Sequence, residues 1–315
     1  MPKKKVLVSA PYFLPVVDRF KSILDENNIE LVLPDVDERL EEDELLAVIR
    51  DIDGVICGDD RFTEKVLQAA SKLKVISKWG TGIDSIDQEA CQKHGVAVKN
   101  TPNAFTEPVA DSVLAYILCF ARKTPWMDKA MKDGIWEKIP GVSLREKTLG
   151  IIGVGNIGKA VTRRAIGFGM RVLGNDIKAI DEEFIEMTGL RMVAKDVIYG
   201  EADFISVNCD LNPASQHLIN HDAFKKMKRQ PYIINTARGP IIKEKDLIDA
   251  LKSGTVSGAG MDVFEDEPLP QNSPLLKMDN VLLAPHNSNS SPVAWEYVHQ
   301  NTVSNLLEEM MKDEK

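Results

Sequence analysis

Short apolar runs recur along the chain, and segments with helical spacing separate them. In the first hundred residues the runs are KVLVSA (5–10), ELVL (30–33), DGVIC (53–57) and LKVIS (73–77). Between them, VVDRFKSILDENN spaces Val17, Phe20 and Leu24 as a helix would, and DELLAVIR and TEKVLQAASK follow the same rule. β-branched runs alternating with amphipathic helices predict a parallel sheet with helices on its faces. The alternation restarts near 147 with TLGII (148–152), RVLGND (171–176), DFISVN (203–208), YIINTA (232–237), VSGAGMD (256–262) and NVLLAP (280–285). NIGKAVTRRAIGFG (156–169) and EKDLIDALKSG (244–254) read as helices within this block. Pro102 breaks the chain between the blocks, and a long apolar helix begins near Thr106. Its apolar residues cover more than one face, so the segment is expected to be buried, against a second subunit in a homodimer. A last helix, PVAWEYVHQNTVSNLLEEMMKD (292–313), aligns Trp295, Val298, Thr302, Leu306 and Met310.

Composition narrows the function classes. A chain of 315 residues is long enough for two domains. Its net charge of -9 argues against a general nucleic-acid binder, which needs a basic face for phosphates. No run approaches a membrane-spanning length, and the start MPKKKVLVSAPYF lacks a signal-peptide core, so no membrane partner and a cytoplasmic location are expected. Cys57, Cys91, Cys119 and Cys209 lie far apart and read as reduced thiols, with no metal site expected. Asp35 and Asp37 have the spacing that opens a calcium loop, but Arg39 and Leu40 stand where oxygen and glycine are needed; the acidic run reads as the start of a helix.

The second block opens on chemistry. Gly153-Val154-Gly155-Asn156-Ile157-Gly158 follows an apolar strand and begins a helix, which is the context that makes G-x-G-x-x-G a dinucleotide site. Gly153 permits the tight turn, Gly155 lets a pyrophosphate approach the backbone, and Gly158 lets helix and strand pack closely. Asp176, at the end of the next strand, suits both hydroxyls of the adenosine ribose and repels a 2′-phosphate, so NAD is predicted over NADP. Lys178 nearby softens that repulsion.

Three further strand ends carry polar groups: Arg238 in IINTARGPII, Asp262 and Glu267 in GMDVFEDEPL, and His286 in LLAPHNSNSS. Ligands of open α/β sheets bind beyond the carboxyl ends of the strands, so a shared cleft is expected there. Hydride delivered to a carbonyl carbon leaves negative charge on the oxygen, which a protonated histidine neutralises as general acid. A carboxylate beside it stabilises the imidazolium and fixes the ring. Arginine offers a two-pronged donor for a substrate carboxylate. The set reads as a 2-keto acid reductase, or 2-hydroxy acid dehydrogenase. The small polar residues after His286 read as a turn outside any packed core. His94, His217, His221 and His299 read as structural, with Asn220 a helix cap.

These motifs, with LKVISKWGTGIDSID and NTPNAFTEPVAD, resemble those of the D-isomer-specific 2-hydroxyacid dehydrogenases, in the family's order and over nearly the whole chain. The resemblance implies two Rossmann-like, doubly wound parallel-sheet domains, the NAD-binding domain (100–287) inserted into the substrate domain (1–99 and 288–315). It implies His286 as acid/base, Glu267 as its partner, and Arg238 as anchor for carboxylate and keto oxygen. The N–H groups around Thr81 and Gly82 would hold the same carboxylate. Asp262 would contact the nicotinamide carboxamide, and Thr106, Asn208 and Thr236 would touch the cofactor. The chain departs from the family at Asn208 and Asp210, where His and Pro are common, at Asp111 for Glu, and in the absence of glycine after His286.

The substrate's far end is expected to meet CGDDRFTEK (57–65), with Arg61 and Lys78 as candidate readers of a phosphate; Asp59 and Asp60 beside Arg61 count against that, and Arg61 reads equally as an exposed loop residue. On that basis D-3-phosphoglycerate dehydrogenase is the first expectation and glyoxylate/hydroxypyruvate reductase the second. An NAD-sensing corepressor-like binding protein is the alternative from another class.

Overall fold

The computed structural model describes residues 3–312. The chain divides into two compact units, one running to Phe105 and resuming at Ser291, the other spanning Thr106–Ser290. The second is therefore inserted into the first.

The first unit holds five parallel strands: β1 Lys4–Val8, β2 Ile29–Val32, β3 Gly54–Cys57, β4 Val75–Lys78 and β5 Ala97–Lys99. They are ordered β2-β1-β3-β4-β5, a doubly wound arrangement. The second unit holds seven: β6 Thr148–Ile152, β7 Arg171–Asn175, β8 Arg191–Met192, β9 Phe204–Val207, β10 Tyr232–Asn235, β11 Gly258–Met261 and β12 Val281–Leu283. Their order, β12-β11-β10-β9-β6-β7-β8, is that of a dinucleotide-binding sheet with one added strand. β3, β6, β9 and β11 are buried at every position, as strands covered on both faces must be, and so they read as unbroken apolar runs.

The expected strands form, with ends that differ by at most two residues from those expected. β5 and β8 and the helix Thr124–Lys132 were not anticipated. β5 is half-buried throughout, and the helix buries no residue completely, so neither carries a strong apolar signal. VVDRFKSILDENN forms a 3-10 segment, Leu14–Phe20, before its α-helix, Lys21–Glu26. The acidic run lies mostly in a loop, because the helix starts only at Glu42, behind a capping box of Glu41 and Glu44. The final helix is Pro292–Met310; Asp313, its expected end, lies outside the described residues.

The changeovers between units fall later than residues 99 and 287. Thr101 N–H donates to the Gly80 carbonyl (2.8 Å) and Asn100 Nδ2 to that of Thr81 (2.6 Å), which tie this stretch to the first unit. Asn301 Nδ2 adds a bond to Thr101 Oγ1 (2.9 Å). At the second changeover, the amides of Asn287 and Ser288 bond to Asp262 and stay with the second unit. Among the described residues no helix is long and apolar enough to cross a membrane.

Candidate active site

β6 and β9 are neighbours in space but not in sequence, and the chain leaves β6 through the glycine-rich turn. Gly153 has φ 92°, and a Cβ there would come within 2.5 Å of the Cys209 backbone nitrogen. A Cβ at Gly158 would stand 2.1 Å from the Gly153 carbonyl oxygen, so the helix Asn156–Gly167 packs on the turn only because that residue is glycine. Gly155 is different: a Cβ there meets nothing within 4 Å. It is also the N-cap of that helix, which no side chain caps. Asn156 is exposed and Ile157 half-buried in the first turn. This leaves an open helix N-terminus beside an accessible backbone, the arrangement that receives a pyrophosphate.

Asp176 follows β7. Its Oδ2 accepts the Val154 N–H (2.7 Å) and its Oδ1 the Lys178 N–H (2.8 Å), so the carboxylate is locked beside the turn with lone pairs remaining on both oxygens. Thr236, one residue past β10, is 8% exposed, and its buried Oγ1 has no partner among the described residues. An orphaned hydroxyl and an uncapped, unobstructed turn fit a bound dinucleotide. Asn208 turns back on Ser206, accepting from Ser206 Oγ (3.2 Å) and donating to its carbonyl (3.3 Å). Thr106 is half-buried at the first position of the helix Thr106–Arg122.

Beyond the ends of β10, β11 and β12 the structure assembles a second group. Buried Asn235 shapes the turn after β10: its Nδ2 donates to the Arg238 carbonyl (2.9 Å) and its Oδ1 accepts the Ala237 N–H (3.1 Å). Gly239 then packs so tightly that a Cβ would lie 1.8 Å from the Phe264 carbonyl oxygen, joining the arginine turn to the loop that carries Glu267. Glu267 Oε1 accepts the Phe264 N–H (2.8 Å), and Oε2 lies 3.0 Å from His286 Nδ1. A carboxylate only accepts, so in this pair Nδ1 carries the proton, and the second ring nitrogen is Nε2. Both side chains are partly exposed, 25% for His286 and 20% for Glu267.

His286 has φ 49°, a left-handed conformation rare outside glycine. Asp262 holds it there. The Asp262 carbonyl accepts the His286 N–H (2.8 Å), while Oδ1 accepts from Asn287 N–H (2.8 Å) and Oδ2 from Ser288 N–H (2.9 Å). Asp262 is 0% exposed and Ser288 6%, so of the polar residues after His286 Ser288 belongs to a packed region, while Asn287 is exposed and held by its amide. Asp262 thus engages the histidine turn through its carbonyl and both carboxylate oxygens. Sequence reading missed this grip and that of Asn235; each is a polar residue directly after, or ending, a buried strand, and that placement is the signal available. His217, read as structural, pairs through Nε2 with Glu265 (2.8 Å) on the loop of Glu267. Glu244 accepts the Glu265 N–H (3.4 Å), and burial pushes its carboxyl above the usual range.

In the first unit Gly80 has φ 126°, and the turn it opens is held by bonds to its carbonyls and by Thr81 Oγ1 donating to the Thr101 carbonyl (2.9 Å). Among the described residues the Thr81 and Gly82 N–H groups have no acceptor. Lys78 is 4% exposed and pairs with Asp59 (3.1 Å). Arg61 lies 4.0 Å from Glu41. Asp60 is fully buried, accepting from Ser9 Oγ and from the Leu40 N–H (2.6 Å).

Comparison with known proteins gives these features a context. Residues 114–288 match the family described as D-isomer specific 2-hydroxyacid dehydrogenase, NAD binding domain. A glyoxylate reductase of Thermofilum pendens is 37% identical over 272 residues, covering 84% of this chain and 80% of the relative. A D-3-phosphoglycerate dehydrogenase of Methanocaldococcus jannaschii is 36% identical over 98% of this chain, which spans 57% of that relative. The fold is similar to a crystal structure of D-lactate dehydrogenase from Aquifex aeolicus complexed with NAD and lactic acid (TM-score 0.87, 26% identity, 96% and 94% of the two chains covered).

Proposed function

The chain belongs to the D-isomer specific 2-hydroxyacid dehydrogenases, NAD-dependent oxidoreductases, and from this premise we propose that it reduces short 2-keto acids without a phosphate, glyoxylate and hydroxypyruvate foremost. The observation that carries the choice of substrate is the state of the two cations considered for a phosphate. Lys78 is buried against Asp59, and Arg61 shares its surroundings with Glu41. The buried cation is already paired and the other is a solvent-exposed side chain, so no uncompensated buried charge awaits a dianionic tail, and 3-phosphoglycerate yields first place. The similarity to a glyoxylate reductase over most of both chains supports the same choice.

When bound at the glycine-rich turn, NADH would supply the hydride for the keto carbon. His286 Nε2 donates its proton to the keto oxygen as charge develops there, and takes it back in the oxidative direction. Glu267 orients the ring through Nδ1 and compensates the imidazolium. Arg238 grips the substrate carboxylate and keto oxygen with its fork of donors. In the first unit the Thr81 and Gly82 amides are donors for a carboxylate. Gly153, Gly155, Asn156, Ile157 and Gly158 form the pyrophosphate turn, and Asp176 selects NADH over NADPH. Thr106, Asn208 and Thr236 contribute polar contacts to the cofactor. Asp262 is a positioning residue for His286. A homodimer accompanies this reading, supported by the exposed apolar side chains Met131, Ile135 and Trp136, the last 85% exposed.

The test is a panel of 2-keto acids with NADH, followed by loss of nicotinamide absorbance. Glyoxylate and hydroxypyruvate should give the highest kcat/KM, with NADPH much poorer than NADH. A kcat/KM for phosphohydroxypyruvate above that for glyoxylate would overturn the substrate assignment.

A further inference from the structure

The first unit contains a buried ion pair that the proton transfer does not use. Lys78 ends β4, and its Nζ lies 3.1 Å from Asp59 Oδ1 and 3.3 Å from the carbonyl of Trp79. A Cβ placed on Gly80 would stand 3.8 Å from that Nζ. The ammonium therefore lies against the turn that leads to the Thr81 and Gly82 amides. The two partners differ in exposure: the Lys78 side chain is 5% exposed, that of Asp59 37%. Asp59 is thus the solvent-facing partner of the pair and Lys78 the buried one. Asp60, fully buried next in sequence, adds a second carboxyl to the cluster.

We propose that Asp59 is a specificity-determining residue, which cancels Lys78 and so rejects 2-keto acids bearing a phosphate or second carboxylate at C3. The inference rests on the reading of the Gly80–Gly82 turn as a carboxylate site given under Proposed function. The physical argument is one of repulsion. Lysine alone beside that turn would attract a second negative group. With Asp59 the solvent-facing partner, a dianionic tail meets a like charge, and such juxtapositions suppress the wrong partner. A tail that ends in hydrogen, as in glyoxylate, or in a hydroxyl, as in hydroxypyruvate, pays no such penalty.

The experiment compares kcat/KM for glyoxylate, hydroxypyruvate and phosphohydroxypyruvate in wild type, Asp59→Asn, and Asp59→Asn with Lys78→Met. Asn keeps the shape of Asp and removes its charge. The ratio of phosphohydroxypyruvate to glyoxylate should rise at least about tenfold in Asp59→Asn, which corresponds to about 1.4 kcal/mol. The gain should vanish when Lys78 is also replaced. Asp59→Ser, which removes the same charge, serves if the Asn variant does not fold. Glyoxylate turnover close to wild type shows that a variant is intact. An unchanged ratio in an intact variant, or a gain that survives the loss of Lys78, would overturn the proposal. Failure of the substrate reading shows separately, as a wild type that already prefers phosphohydroxypyruvate.

Discussion

Replacing Asp262 by Asn separates two roles for one buried carboxylate. The wild-type side chain accepts two amide bonds at 2.8 and 2.9 Å from the residues directly after His286. Asn keeps one acceptor oxygen and turns an NH2 group toward the other N–H donor. A hydrogen bond to a charged group contributes about 1.5–3 kcal/mol, and a buried donor left unsatisfied costs about 1–3 kcal/mol. A net loss of about 3 kcal/mol follows. For a unit of this size, that lowers Tm by roughly 6–12 °C. The turn also holds His286 at φ 49°, a backbone conformation that costs of order 1–3 kcal/mol unless its surroundings enforce it. Once the grip loosens, His286 relaxes out of place, and about 3 kcal/mol of mispositioning corresponds to a kcat lower by roughly a hundredfold. The assay pairs steady-state kcat on glyoxylate with the Kd for NADH from quenching of protein fluorescence. Positioning predicts a fall in kcat with Kd for NADH nearly unchanged. A Kd weakened tenfold or more, with kcat at saturating NADH close to wild type, would refute it and return Asp262 to the nicotinamide.

Other outcomes follow from the same geometry. Gly158→Ala should fail to fold stably, because its Cβ would lie 2.1 Å from a backbone oxygen, whereas Gly155→Ala should melt like wild type and bind NADH more weakly; equal melting of the two would contradict this. Glu267→Gln should lower kcat on glyoxylate by roughly ten- to a hundredfold without a matching rise in KM, since it loses compensation of the imidazolium and keeps the shape; unchanged kcat would remove Glu267 from the mechanism. Burial pushes the Asp60 carboxyl up to about 6 from 3.8. The folded state then holds this proton more tightly than the unfolded one. Its contribution to stability is therefore greatest below the unfolded value, declines as pH rises toward 6, and is flat above it. Urea unfolding from pH 4 to 7 should show wild type losing stability relative to Asp60→Asn by up to about 3 kcal/mol, and parallel curves would contradict the assignment.

What could be read in the sequence depended on whether a residue's partner has an identity there. β6 spans the same five residues in sequence and structure, because a strand buried on both faces is an unbroken apolar run between a charged residue and a glycine turn. β8 has only two residues and β5 is half-buried, so neither stands out. The Glu267–His286 pair was legible because both residue types announce proton chemistry and both follow strand ends. The grip of Asp262 was not, because its partners are backbone amides that any residue would supply. Lys78 read as a candidate phosphate reader, and only its three-dimensional neighbour Asp59 shows that its charge is already paired.

The central claim is that His286, held by Glu267, moves the proton. Glyoxylate reduction by His286→Ala at saturating NADH, with NADH affinity measured on the same protein, tests it most directly. The account predicts a kcat lower by about 10²–10⁴-fold with NADH binding intact. Turnover within about tenfold of wild type would contradict it.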